Sequence, residues 1–480
     1  MDREVDVVVI GAGPVGENVA DRARAAGLEV LVVERELVGG ECSYWACVPS
    51  KTLLRSAAAV RAARRVPGAS EAVTGALDVE AVLRRRNAFV SDWSDAGGEE
   101  WLRSVGIGLE RGHGRLAGER RVEVDRADGT TVAVTARHAV VVATGSDPAV
   151  PPIDGLVEAR PWFSREATSA QQVPRRLAII GGGVVAVEMA TAYAGLGAEV
   201  TVLVRHGLLD RMEPFAGDLV LAGLRELGAS VRLGVSATRV SRNDAGEVVV
   251  ELDAGDPVVA DEVLVATGRR PRTTDLGLET VGLEPGGWLS VDDTLVVTDA
   301  PGRTPWLYGV GDVAHRALLT HQGKYQARAA GDVIAARALG RTVDDGPWGA
   351  HVATADHRAV PDVVFGEPEV AAVGRTAAEA EEAGLRVRTV DVGLDAVSGT
   401  GIHSDGPAGA ARLVVDLDRG TVVGATFVGQ DVAELLHAAT IAVVGEVPMD
   451  RLWHAVPAFP TVSEIWLRLL EAYGRPEVAS

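Results

Sequence analysis

Short apolar runs that break abruptly on glycine punctuate this chain. Val5 to Ile10 leads into Gly11, and Arg176 to Ile180 leads into Gly181. VVVATG ends in Thr144 and Gly145, and VLVATG ends in Thr267 and Gly268. Runs of four to six apolar residues bounded by turn formers predict strands. An alanine-rich helical stretch follows the first run as far as Ala26, and a second strand, Glu29 to Val33, ends at Glu34. A helix to Gly195 follows the second run, and its strand is Val200 to Val204. Strands alternating with helices predict an α/β protein.

The glycines give these units a chemistry. In the first, GAGPVG places Gly11, Gly13 and Gly16 at the strand-to-helix turn. Gly11 permits the tight turn, Gly13 lets backbone approach a pyrophosphate, and Gly16 lets helix and strand pack closely. Glu34 then stands where an acid holds a ribose. The second unit, GGGVVAVE, supplies Gly181, Gly183 and Ala186, but its second strand ends in Arg205. Arg205 and Arg211 sit where a 2′-phosphate would lie. Guanidiniums attract that phosphate and an acid would repel it, so NADPH is expected ahead of NADH. Two such units predict two bound dinucleotides. The stretches around Thr144–Gly145 and Thr267–Gly268 predict chain crossings between them. In WLYGVGDVAH, Asp312 follows an apolar strand and is placed to accept hydrogen bonds from a polyol.

The composition changes after Arg341. From Pro361 come alternating apolar residues and a polar helix, then the strands ARLVVDLD and TVVGATFVG, a helix from Asp431, and the closing segment VPAFPTVSEIWLRLLEAY.

Charge narrows the choice of partners. The net charge of −20 argues against nucleic acid and anionic membrane, and no apolar run is long enough to span a bilayer. The first residues are acidic where a signal peptide would be basic, which predicts a cytoplasmic protein. In that compartment a structural disulfide would be unusual and a catalytic one expected. Cys42 and Cys47 are the only cysteines, with four residues between them in GGECSYWACVPSK. A regular helix would hold positions i and i+5 apart, so pairing requires a distorted segment. No cluster has zinc spacing, so no metal is expected. Lys51 and Lys324 are the only lysines in a chain that otherwise writes arginine. Lys51, four residues after Cys47, suggests a role that arginine cannot fill.

Together these features resemble the class I pyridine nucleotide-disulfide oxidoreductases, which include lipoamide dehydrogenase, glutathione reductase and mercuric reductase. The strongest likeness is GGECSYWACVPSK, similar to the family's redox-active cysteine motif. The resemblance implies two Rossmann-like domains and an α+β dimerisation domain. Residues 1–155 and 275–345 would bind FAD, 156–274 the pyridine nucleotide, and 350–480 would form the dimer interface. Cys47 would be the flavin-proximal thiol and Cys42 the interchange thiol. Lys51 would lie near the flavin N5, paired with Glu188. Gly11, Gly13, Gly16, Glu34, Gly40, Lys51, Thr144, Gly145 and Asp312 would serve FAD. Gly181, Gly183, Glu188, Arg205, Arg211 and Gly268 would serve NADPH. Family members are homodimers whose sites draw on both chains.

One departure matters. The family's C-terminal signature carries a histidine that protonates the departing thiolate and is held by a glutamate. Here the segment reads Phe459-Pro460-Thr461-Val462-Ser463-Glu464. Phenylalanine transfers no proton, and Glu464 is retained without its expected partner. His454 is an alternative donor, though Pro457 intervenes. Tyr44 and Trp45 either line the substrate approach or pack. No cysteine follows Trp466, so a relay through a C-terminal pair to a bulky disulfide or mercuric ion is not expected. Three functions follow. The first is an NADPH-dependent disulfide reductase acting on a small disulfide or other acceptor. The second is a quinone, dye or metal-ion reductase that needs no acid. The third is a redox-sensing flavoprotein subunit.

Overall fold

The structure, a computed structural model, describes residues 3–300, 302 and 304–475. The chain folds into two compact units. The first comprises Met1–Pro49, Asn87–Ala149 and Gly268–His357; the second comprises Ser50–Arg86, Val150–Thr267 and Arg358–Ser480.

In the first unit a parallel sheet runs in the order 108–111, 30–34, 3–10, 131–142, with the short strand Leu307–Gly309 also parallel to Thr131–Val142. Two antiparallel strands, Arg121–Asp125 and His113–Leu116, extend it. The central strand Arg3–Ile10 reads as a continuous apolar run because both its faces are covered: Val7, Val8 and Val9 have no exposed surface. Helices Pro14–Ala25 and Thr320–Ala338 pack together, joined at one end by the bidentate ion pair of Arg22 with Asp332.

The second unit holds a four-stranded parallel sheet in the order 230–233, 199–204, 176–180, 262–265. A three-stranded antiparallel sheet, 237–260, is inserted in the chain between its strands 230–233 and 262–265. A five-stranded antiparallel sheet runs in the order 361–364, 369–374, 421–429, 410–416, 387–393. Helix Val184–Gly195 is apolar around its whole circumference, and every residue from Ala186 to Tyr193 is buried. Such a helix belongs in a core, so its single carboxylate, Glu188, needs a partner.

The two compact units divide the chain at 149/150 and 267/268, near the expected domain boundaries at 155/156 and 274/275. The first unit continues to His357, beyond 345, and residues 50–86 belong to the second unit. The crossings form a ribbon. Strands Ser146–Pro148 and Arg269–Pro271 pair antiparallel, so both crossings end inside the first unit. Gly268, expected to serve the pyridine nucleotide, is therefore grouped with the first unit and begins this ribbon.

Candidate active site

The first glycine turn follows from steric limits. Gly11 has φ 106°, and a Cβ there would overlap the carbonyl oxygen of Ala143. A Cβ on Gly16 would overlap the carbonyl oxygen of Gly11, so helix and strand meet without room for a side chain. At Gly13, the N-cap of helix Pro14–Ala25, the nearest neighbour of a Cβ would be the Cα of Gly40 at 4.0 Å. Backbone there faces open space at the positive end of a helix, which suits a pyrophosphate. Glu34, at the end of strand Val30–Glu34, accepts hydrogen bonds from the N–H of Ala12 at 2.7 Å and of Glu36 at 2.7 Å. The carboxylate is thereby fixed beside the turn. The residues present fit an adenine dinucleotide.

The cysteine segment docks on this turn. Gly39 N–H donates to the carbonyl of Ala12 at 2.7 Å, and Gly40, with φ 57°, is so close that a Cβ would lie 2.8 Å from Gly13 Cα. The segment is distorted as its spacing demands. Helix Gly40–Tyr44 stops at Trp45, with φ −138° and ψ 1°, and helix Cys47–Arg64 begins two residues later. The break lets the sulfurs meet. Both cysteines are half-buried. The hydrogen bond to Cys47, burial, and the charge of Cys47 push Cys42 well above the usual thiol range; the Thr320 hydroxyl and Lys324 ammonium pull the other way. Cys47 begins an 18-residue helix, where free N–H groups and the helix dipole favour negative charge. Its Sγ lies 3.3 Å from the Thr320 hydroxyl.

Tyr44 is resolved as a packing residue. It is buried, its hydroxyl donates to Ser94 O at 3.3 Å, and its carbonyl accepts from Trp93 Nε1 at 3.2 Å. Trp45 lies 5.8 Å from it, ring to ring. Thr144 Oγ1 donates to the carbonyl of Arg272 at 2.9 Å, and Gly145 takes φ 74°, turning the chain into the ribbon. Asp312, in the turn Gly311–Ala314, accepts from Ser146 Oγ at 2.5 Å.

Sequence reasoning missed a charged cluster beside Cys42. Glu41 pairs with Arg269 at 2.7 Å and with Arg272 at 2.8 Å, and Arg272 also reaches Asp147 at 2.6 Å. The signal was available: a carboxylate inside the cysteine motif needs a cation.

In the second unit the turn repeats. Gly181 has φ 135°, and a Cβ there would overlap the carbonyl oxygen of Ala266; Gly183 caps the helix and has open space around it. Leu209 N–H donates to the Gly182 carbonyl at 2.9 Å, so the loop carrying Arg205 and Arg211 folds against the turn. Both arginines are exposed, and Arg205 Nε donates to His206 Nε2 at 3.0 Å. An exposed guanidinium at this strand end fits a phosphorylated ribose.

Glu188 finds its partner in Lys51, whose Nζ is 2.9 Å from one carboxylate oxygen and 2.7 Å from the other. The carboxylate also accepts from Phe365 N–H at 3.1 Å, and the Phe365 ring lies under the ammonium at 5.0 Å. Phe365 had no sequence signal. Glu188's side chain is 4% exposed against 36% for Lys51, so the cation keeps an open side.

At the C-terminal segment, Phe459 is 75% exposed while Glu464 is 5% exposed. Glu464 Oε2 is buried without a hydrogen-bond partner among the described residues. His454 lies in a separate turn, its N–H bonded to Arg451 O.

Residues 5–332 match the pyridine nucleotide-disulphide oxidoreductases, and residues 360–469 match the dimerisation domain of the same family. The mercuric reductase of Staphylococcus aureus is 31% identical over 96% of this chain and 81% of that protein. The mercuric reductase of Streptomyces lividans is 33% identical over 94% of this chain and 92% of that protein. LpdA from Mycobacterium tuberculosis has a TM-score of 0.82 at 25% identity, covering 98% of this chain and 100% of that one. The chain belongs to the pyridine nucleotide-disulphide oxidoreductase family. It is an FAD-dependent enzyme that carries electrons from a pyridine nucleotide through a redox-active cysteine pair to a small acceptor. No helix among the described residues is long and apolar enough to cross a membrane, and none of their acidic, histidine and cysteine side chains cluster as a metal site.

Proposed function

We propose that this protein is an NADPH-dependent disulfide reductase that hands electrons from Cys42 to a small disulfide. The observation that carries this reading is the cysteine pair, held as hydrogen-bonded thiols against the first glycine turn. Bound FAD supplies the two-electron relay between nicotinamide and the cysteine pair. Cys47, at a helix N-terminus, holds the thiolate; Cys42 keeps the shared proton and is the thiol that meets the acceptor. Glu34 orients the adenosine ribose and Asp312 the ribityl chain. Lys51 places a cation near the flavin N5, and Glu188 fixes its direction. Arg205 and Arg211 select the 2′-phosphate of NADPH.

The enzyme works as a homodimer in the cytoplasm. Ile402, Ile441, Val456 and Phe459 are large apolar residues left exposed by one chain, all inside the region that matches the dimerisation domain. Burying such a surface against a second copy removes it from water.

Phe459 favours a second reading, in which the acceptor is a quinone, dye or metal ion that needs no proton donor. Similarity to mercuric reductases accords with it, although this chain has no cysteine after Cys47. The disulfide reading is tested by anaerobic titration with NADPH. Uptake of two electrons beyond those held by FAD, lost in Cys42→Ser, supports it; uptake limited to FAD in the wild type overturns it.

A further inference from the structure

Asp356, in the turn Thr354–His357, has a side chain with no exposed surface. Both its oxygens are occupied. Gln322 Nε2 donates to Oδ1 at 2.6 Å, and Gln326 Nε2 donates to Oδ2 at 3.0 Å. Arg316 Nη1 lies 3.6 Å from Oδ2 on a side chain that is itself mostly buried. The two glutamines stand at i and i+4 on helix Thr320–Ala338 and so share one face. Burial pushes the Asp356 carboxyl up, and the Gln322 amide, the Arg316 guanidinium and the Gln326 amide oppose the rise. Two donated hydrogen bonds and a guanidinium suit the ionised form, which can only accept.

An acceptor at both oxygens fixes which way each amide points. Gln326 turns its NH2 group to Asp356, which leaves its Oε1 to accept from the buried N–H of Gly311 at 2.8 Å. Reversed, the amide would set its oxygen against a carboxylate and its NH2 group against an N–H. Gly311 takes φ 75° at the head of the turn Gly311–Ala314, and Asp312 is the next residue. A Cβ on Gly323, between the two glutamines, would lie 3.2 Å from Gly311 Cα, so helix and turn also touch directly. Asp312 accepts from Ser146 Oγ, which in turn accepts from Arg269 Nε at 2.6 Å. Asp312 is thus held by Ser146 through its side chain and by Gln326 through the backbone of Gly311.

We propose that Asp356 is a positioning residue for the FAD site: acting through Gln326, it fixes the Gly311 backbone and with it the direction in which Asp312 presents its carboxylate to the ribityl chain. The proposal rests on the reading of Asp312 as the acid that serves that chain. Asp356 itself touches no cofactor atom. What it supplies is the polarity of the chain of hydrogen bonds from Gly311 through Gln326. Removing the acceptor frees the Gln326 amide to turn, and the Gly311 N–H loses the orientation of its partner. Gln326→Glu sets two carboxylates against each other. Adding Asp356→Asn to that change makes carboxylate and amide trade places: the new amide donates to the new carboxylate, whose second oxygen accepts from Gly311, and Gln322 keeps its acceptor.

The test is the Kd for FAD, measured from the flavin fluorescence released when the holoenzyme is diluted. Asp356→Ala and Asp312→Asn should each raise it about tenfold. Asp356→Ala made in the Asp312→Asn background should add less than about twofold, because the first residue acts through the second. Gln326→Glu should weaken FAD about tenfold, and adding Asp356→Asn should restore most of the affinity, which a loss of packing alone would not do. This second pair decides the matter if Asp356→Ala does not fold. Unchanged FAD affinity in Asp356→Ala, losses that multiply in full with Asp312→Asn, or no recovery in the exchanged pair overturns the proposal. An Asp312→Asn enzyme that holds FAD as tightly as wild type overturns instead the reading of Asp312 on which it rests.

Discussion

The ammonium of Lys51 is bound by both carboxylate oxygens of Glu188, at 2.9 and 2.7 Å, in the middle of a helix with no other charge. Lys51→Met leaves that carboxylate with the Phe365 N–H as its remaining partner. An unsatisfied buried acceptor costs about 1–3 kcal/mol, and the open side of Lys51 places the loss toward the lower end. Thermal unfolding should show the fall. If Lys51 lies near the flavin N5 as proposed, rapid-mixing absorbance should also show slower reduction of bound FAD by NADPH.

Arg205 directly follows the strand Glu199–Val204, whose end would meet the adenosine ribose, and Arg211 lies in the loop after it. A hydrogen bond to a charged group contributes about 1.5–3 kcal/mol, or roughly tenfold in binding for each. Replacing both by Ser should lower kcat/KM for NADPH about 10- to 100-fold and leave NADH nearly unchanged. Equal wild-type specificity constants for the two nucleotides would remove the role given to these arginines.

The Oε2 of Glu464 is buried and unpartnered among the described residues, and the proposed reading puts Phe459 at the place of the family's histidine. Phe459→His should raise kcat/KM for small disulfides about tenfold, within the range of general acid-base catalysis. Adding Glu464→Gln should remove most of the gain. No gain at any pH, in a folded FAD-bound variant, would sink the placement of Phe459.

Burial pushes Glu369 up to about 7, against the N–H of Ala433 and with the charges of Asp431 and Glu367 adding to the rise. The folded state therefore binds more protons than the unfolded one between about 4.5 and 7, and stability falls as pH rises through that window. Glu369→Gln removes the titration. Relative to wild type it should gain stability from pH 4.5 to 7 and level off above, by about 1–3 kcal/mol. A Tm difference independent of pH would contradict this.

The sequence made local chemistry legible where geometry is local. The glycine turns at Gly11 and Gly181 announce themselves because strand, turn and helix are contiguous, and the distortion between Cys42 and Cys47 follows from their spacing. The Lys51–Glu188 pair came through resemblance, and the structure brings the two together across 137 positions of chain. Other features depend on contacts that no local pattern encodes. Phe365 reaches Glu188 through its backbone, which any residue could offer. Thr320 reaches Cys47 across 273 positions, and Glu41 finds cations far along the chain. The ribbon of Ser146–Pro148 with Arg269–Pro271, which joins distant stretches of chain, lies in the first unit.

The exit of electrons through Cys42 is the centre of the account. NADPH oxidation should be followed with small disulfides and with quinones, in wild type and in Cys42→Ser. The account predicts that the serine variant still accepts electrons from NADPH but loses disulfide turnover altogether. Disulfide turnover that survives undiminished in Cys42→Ser would contradict it.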